Sequence, residues 1–213
     1  MHTHIFINPI HTYTCALRQY IGNGFAYDAC RYISSTLKQS SSIISLELSN
    51  NRIGDDGAEV LADLLKHHTS LKSINLDSCY VGDMGLEKLA ESLESNCILH
   101  TITLSCNNIT AAGVQRLCTF LQLNGTLTEL NLKYNKLGSE GGMHIGGMLR
   151  MNDSLRKLDL ERTHLFSKKN ALGIHAIGHA LKTNRALEWL NISTNGLVDD
   201  VMLEFAYMLV SNR

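Results

Sequence analysis

One pattern constrains this chain more than anything else: the run LxxLxLxxNxL, written six times. The copies begin at Ile43, Leu71, Leu99, Leu127, Leu155 and Leu187, at offsets of 28, 28, 28, 28 and 32 residues. The fourth position holds Leu46, Ile74, Ile102, Leu130, Leu158 and Leu190, and the sixth holds Leu48, Leu76, Leu104, Leu132, Leu160 and Ile192. The ninth holds Asn51, Cys79, Asn107, Asn135, Thr163 and Asn195, and the eleventh Ile53, Val81, Ile109, Leu137, Leu165 and Leu197. A unit this short cannot bury its own apolar face. It must stack on copies of itself and share one continuous core with them.

Each unit reads as a strand followed by a helix. The segment around positions four to six alternates apolar and polar, which makes a strand with one buried face. The short polar residue at position nine can turn inward and satisfy loop backbone that would otherwise be stranded. GDDG at 54–57, GDMG at 82–85 and GSEG at 138–141 then offer Asp or Ser as helix caps. The period changes to helical, with Ala58, Leu61 and Leu65, then Leu86, Leu89 and Leu93, then Val114, Leu117 and Leu121, then Ile145 and Leu149 on one stripe. A polar turn containing Asn96, Asn124, Asn152 or Asn184 closes the unit before the next strand.

A 28-residue unit of strand, turn and full helix resembles the ribonuclease-inhibitor subfamily of leucine-rich repeats, as found in NOD-like receptors, the Ran GTPase-activating protein and many ciliary or cytosolic scaffolds. Cys79 at the Asn position fits that subfamily. The resemblance implies an α/β fold: a right-handed leucine-rich repeat solenoid, or horseshoe, with parallel β-strands on the concave face and α-helices on the convex face. It covers residues 43–213 as six repeats.

Upstream, the pattern persists in degraded form. Stepping back 28 residues puts Tyr20, Asn23, Phe25 and Ala29 in the slots of Leu48, Asn51, Ile53 and Gly57. Residues 15–42 therefore read as a divergent N-terminal capping repeat, with Cys30, Ile33 and Leu37 on the apolar face of its helix. Residues 1–14 read as an extended or disordered leader that lacks the basic start and sustained apolar run of a signal peptide. At the other end the helix 201–213 packs Val201, Met202, Phe205 and Leu209 inward, and the sequence stops where a seventh strand would start. This helix is either the cap itself or the end of a short array or of a fragment. The last strand, LEWLNIS, is left without a neighbour and invites self-association. The four extra residues of repeat five fall in HLFSKKNALG (164–173). Insertions of this kind map to one face, often a binding face, but a tolerated surface loop is the simpler reading.

The repeat also accounts for residues that might suggest chemistry. His175 and His179 stand four apart on a helix, but no Asp, Glu or Cys joins them at metal-ligand spacing. His67 and His68 sit near a helix end, where cations are ordinary. GGMHIGG (141–147) lies in a helix rather than after a strand, so its glycines permit close packing instead of holding a phosphate. Six cysteines (Cys15, Cys30, Cys79, Cys97, Cys106, Cys118) form no CxxC pair, consistent with reduced, mostly buried thiols in a cytosolic protein. The sequons at Asn108, Asn124, Asn152 and Asn191 arise from the repeat and are read as unglycosylated. With net charge −1, no charge block and no apolar run of bilayer length, nucleic acid and membrane are not expected partners. No catalytic constellation stands out, and neither enzyme activity nor a cofactor is expected.

What remains is the strand surface. Positions 2, 3, 5, 7 and 8 face solvent, and one position on adjacent strands recurs every ~4.8 Å. Repeats one to three present small polar groups such as Ser45, Ser73, Thr101 and Ser105. Repeats four to six present Glu129, Lys157 and Trp189 at position 3, with Lys133 and Glu161 at position 7, Tyr134 and Arg162 at position 8, and Arg156 and Glu188 at position 2. Sideways pairs are expected for Glu129–Lys157, Lys133–Glu161 and Arg156–Glu188, and cation–π contacts for Tyr134–Arg162 and Trp189–Lys157. One reading is that these pairs only satisfy one another; the other is that Trp, Tyr and Arg are the residue types enriched at interface hot spots. The expectation is a cytoplasmic, non-enzymatic protein–protein interaction module or scaffold. It would bind its partner through Tyr134, Arg156, Lys157, Arg162 and Trp189. The alternatives are a GTPase-activating regulator of a small GTPase, a sensing fragment of a NOD-like receptor, or a structural component of cilia.

Overall fold

A computed structural model describes residues 3–6, 24–38, 40–167, 170–210 and 212. Strands and helices alternate along them: β1 (Thr3–Phe6), α1 (Gly24–Leu37), β2 (Ile43–Glu47), α2 (Gly54–His67), β3 (Ser73–Asn75), α3 (Asp83–Ser92), β4 (Thr101–Thr103), α4 (Ala111–Leu121), β5 (Glu129–Asn131), α5 (Gly138–Leu149), β6 (Lys157–Asp159), α6 (Leu172–Leu181), β7 (Trp189–Asn191) and α7 (Asp199–Leu209). The strands form one parallel sheet in sequence order, β1 to β7. Leu46, Ile74, Ile102, Leu130, Leu158 and Leu190 lie side by side across it, so the fourth position of every repeat is in register. The edge beside β2 is occupied by β1. Tyr20 and Asn23, assigned to the strand of a first repeat, lie outside the described residues, while Phe25 and Ala29 fall in α1.

The core follows the repeat. The apolar residues at positions four and six are at most 3% exposed from Leu46 to Leu160. The helical stripe from Ala58 to Leu149 read from the sequence is at most 1% exposed. In the last repeat Leu187, Leu190, Ile192 and Leu197 are only partly buried. In α7 Phe205 is buried and Val201 half-buried, but Met202 and Leu209 are 39% and 37% exposed. Two of the four residues expected to pack inward therefore do not, since α7 packs against α6 on one side.

Two ladders of polar side chains join the repeats. At position nine, Asn107 accepts the N–H groups of Cys79 and Val81 at 3.0 Å and donates to the Leu76 carbonyl at 2.8 Å. Asn135 and Asn195 repeat the arrangement. Cys79 keeps the donor half of it, its thiol reaching the Leu48 carbonyl at 3.1 Å. The second ladder is in the closing turns. Asn96, Asn124, Asn152 and Asn184 each accept the N–H groups two and three residues on, and each donates to the last helical carbonyls of the preceding repeat.

The helix caps differ from expectation. Asp55 and Ser139 lie inside the first turns of α2 and α5, whose N-caps, Ile53 and Leu137, make no side-chain cap bond. Their side chains cap the next repeat instead. Asp55 accepts from the Gly82 N–H at 2.6 Å, Asp83 from the Thr110 N–H and hydroxyl at 2.8 and 2.6 Å, and Ser139 from the Gly173 N–H at 2.8 Å. Stacking brings the orphan amides of one helix within reach of the previous helix's side chains. Glycines permit that approach: a methyl on Gly146 would sit 2.5 Å from the Ala176 carbonyl carbon, and one on Gly142 2.8 Å from the Gly173 Cα.

Candidate functional site

The sheet sets the rows of the exposed strand surface. Glu129 is opposite Lys157, and Lys157 is opposite Trp189. The Lys157 ammonium reaches the Glu129 carboxylate at 2.8 Å, and that hydrogen bond and charge raise the Lys157 pKa above its ordinary value, keeping it cationic. Its charge is thereby directed to Glu129 and not over the Trp189 ring. Trp189, on the last strand, is 47% exposed. Arg156 pairs loosely with Glu188, at 3.9 Å, and is fixed by a 2.8 Å bond from its guanidinium to the Ala186 carbonyl. It borders a cleft of about 350 Å³ that Arg150, Asp153 and Arg185 also line.

A second group forms where the chain leaves the strands. The Tyr134 hydroxyl donates to Glu161 at 3.0 Å, and the Arg162 guanidinium carbon stands 5.7 Å from the centre of the Tyr134 ring. Glu161 raises the Tyr134 pKa through this hydrogen bond and its charge. It is engaged by Tyr134, and the expected Lys133–Glu161 pair does not form. Tyr134 and Arg162 both adopt left-handed backbone, φ 59° and 51°. Asn50, Ser78, Cys106 and Thr194, at the same position of the other repeats, do so too. The turn geometry therefore belongs to the repeat, and it holds bulky side chains outward where L-residues seldom settle.

The five residues singled out in the sequence thus form two groups. Arg156, Lys157 and Trp189 lie at the strand starts. Tyr134 and Arg162 lie at the turn end, about five residues further along, or roughly 15 Å at strand rise. Ser45 and Ser105, expected on the open surface, are buried. In the repeat-five insertion Asn170 accepts from the Ser139 hydroxyl at 2.9 Å and the Leu172 N–H at 3.0 Å, so the loop helps to cap α6; Lys168 and Lys169 lie outside the described residues. His175 faces Glu204 of α7 at 2.9 Å and not His179. Among the described residues no three His, Cys, Asp or Glu side chains gather as a metal site, and no helix is long and apolar enough to cross a membrane.

Sequence reasoning missed His68. It stands 28 residues before Asn96, in the closing-turn ladder, and is 5% exposed. Its Nδ1 accepts the N–H groups of Ser70 and Leu71 at 3.3 and 3.0 Å, as the asparagines do. Burial lowers its pKa, opposed by the Leu37 backbone. The register was the available signal.

A family model described as Leucine Rich repeat matches residues 39–62, 67–90, 95–118 and 124–146. The chain is built of leucine-rich repeats. Repeats five and six continue the solenoid in the same sheet beyond the matched segments. Two solved structures are similar to it. One is leiomodin-1 actin-binding site 2, 21% identical with a TM-score of 0.61, covering 74% of this chain and 88% of that one. The other is the tropomodulin C-terminal domain from Caenorhabditis elegans, 15% identical with a TM-score of 0.57, covering 74% and 92%. At these identities the likeness is one of fold. No curated protein sequence matches this leucine-rich repeat chain.

Proposed function

We propose that this leucine-rich repeat protein is a non-enzymatic binding module that docks a protein partner through the strand surface of repeats four to six. The observation that carries the reading is the Tyr134–Glu161–Arg162 group. An exposed aromatic and an arginine already hold each other in place, so less side-chain freedom is lost when a partner closes over them. Trp189 adds a second aromatic anchor, flanked by Arg156 and Lys157. Tyrosine, tryptophan and arginine are the side chains on which binding energy concentrates. A cytoplasmic setting is part of the proposal, supported by the five described cysteines being free thiols.

Actin is the first partner to test, because leiomodin-1, which shares the fold, is described by its actin-binding site. No observation favours GTPase activation, ligand sensing as in NOD-like receptors, or ciliary structure over partner binding. The test is affinity capture from cell extract with wild type and with Trp189→Ala plus Arg162→Ala, alongside co-sedimentation with filamentous actin. The proposal expects the double variant to lose partners that the wild type retains. An unchanged partner set overturns the strand-surface assignment, and wild type that stays in the supernatant removes actin.

A further inference from the structure

We infer that the cleft between the closing turns of repeats four and five binds a phosphomonoester carried by the partner polypeptide, on a phosphoserine or phosphothreonine. Four charged residues line this cleft of about 350 Å³: Arg150, Arg156 and Arg185, with Asp153 as the one carboxylate. The repeat does not call for the arginines. No preceding junction between repeats places three cations at these positions, and the junction just before has Gln122, Thr128 and Asp153 there. The buried asparagines of the same turns, Asn152 and Asn184, do recur, because they join one repeat to the next. Stacking elsewhere in the solenoid is completed without the three arginines.

The cleft is arranged for an anion. Arg156 donates to the Ala186 carbonyl at 2.8 Å and Arg185 to the Lys182 carbonyl at 3.0 Å. These bonds to neutral acceptors fix the guanidiniums without cancelling their charge. Glu188 stands 3.9 Å from Arg156 and does not line the cleft. The Arg150 side chain makes no hydrogen bond or ion pair among the described residues. Helix-end carbonyls that would repel an anion are occupied: Asn184 donates to those of Leu149 and Asn152 at 2.7 and 3.0 Å. The lining carries a net charge of +2. A phosphomonoester carries about −1.5 to −2 near pH 7, and guanidinium forks match its oxygens. A carboxylate offers a single charge. The cleft is also of the size of small-ligand sites, roughly 300 Å³ and above. Arg156 adjoins Lys157, which pairs across the sheet with Trp189. A partner chain that crosses the strand surface can therefore turn one side chain into the cleft. The polypeptide source rests on the strand-surface reading; the preference for a dianion does not.

The test is titration of the full chain with a short alanine peptide carrying one phosphoserine, followed by proton–nitrogen NMR of the arginine Nε–H groups. The signals of Arg150, Arg156 and Arg185 are expected to shift saturably. The same peptide with serine is expected to leave them in place, and one with glutamate to bind about tenfold more weakly. Affinity for the phosphopeptide is expected to fall as pH drops below about 6, where the phosphate takes up its second proton. Arg150→Gln, which loses no internal bond, is expected to weaken binding about tenfold with an unchanged circular dichroism spectrum. The absence of a saturable shift, equal binding of the glutamate peptide, or indifference to Arg150→Gln overturns the proposal. Binding of phosphatidylinositol phosphate vesicles in place of the peptide overturns it too. The source is read separately, by treating the extract with phosphatase before capture. Partners that depend on Trp189 and Arg162 are expected to be lost after that treatment. Their full retention overturns the assignment to a partner polypeptide and leaves the strand-surface reading standing. If Trp189→Ala plus Arg162→Ala changes no partner, the strand-surface reading fails and the peptide titration still decides the cleft.

Discussion

The imidazole Nδ1 of His68 accepts the backbone N–H of Leu71 at 3.0 Å. That bond, and the one from Ser70, exists only while Nδ1 is unprotonated. Burial depresses the folded pKa below the unfolded value of 6.5, so the unfolded chain takes up the proton first. Stability from His68 is therefore complete above pH 6.5 and is lost as pH falls through the folded value. Urea unfolding of wild type is expected to weaken below pH 6.5. His68→Asn, whose amide oxygen takes the place of the Nδ1 acceptor, is expected to lose that contribution to the pH dependence.

Asn135 serves four backbone groups at once: the N–H of Asn107 and Ile109 and the carbonyls of Leu104 and Leu132. Asn135→Ala leaves them unpaired in a dry interior and is expected to cost about 3 kcal/mol or more. Asn108→Ala, at an exposed residue one repeat earlier, is expected to stay within about 0.5 kcal/mol. Chemical denaturation of the two variants checks the contrast.

Gly146 and Gly147 are neighbours in α5 with opposite surroundings. A methyl on Gly146 runs into the Ala176 backbone, whereas one on Gly147 meets nothing within 4 Å. Gly146→Ala is expected to destabilise by about 1–3 kcal/mol. Gly147→Ala is expected to stabilise by up to about 1 kcal/mol through helix propensity. Paired thermal melts decide it.

Cys106 is exposed and held at φ 55°. Cys106→Gly relieves a left-handed conformation that disfavours L-residues, partly offset by the freer unfolded chain. A net gain of a few tenths to about 1 kcal/mol is expected. A loss in the melting temperature would show that the turn is held by more than backbone geometry.

Much of this is legible in the amino-acid order, and the misses concern polar side chains. Leu46, Ile74 and Ile102 announce their burial through spacing alone, because strand and helix periods are local properties of the chain. Asp55 and Ser139 are capping residues, as their place in the sequence suggests, but the helices they cap are those of the next repeat. His68 looks in the sequence like an ordinary helix-end cation, yet it accepts backbone N–H groups. Asp55 and Ser139 act on another repeat, 27 and 34 residues away, whereas the bonds of His68 are local and its role shows only in its register with Asn96.

The sequence by itself determined the repeat, its register, the identity of the core and the presence of aromatic and basic residues on the strand surface. Periodic apolar spacing leaves a chain one economical way to bury itself. Only the tertiary structure decided which polar groups meet. It gave Glu161 to Tyr134 rather than to Lys133, and Lys157 to Glu129 rather than to the Trp189 ring. It separated Trp189 from Tyr134 along the strands. Those outcomes depend on side-chain reach between stacked repeats, which is not encoded in spacing along a single repeat.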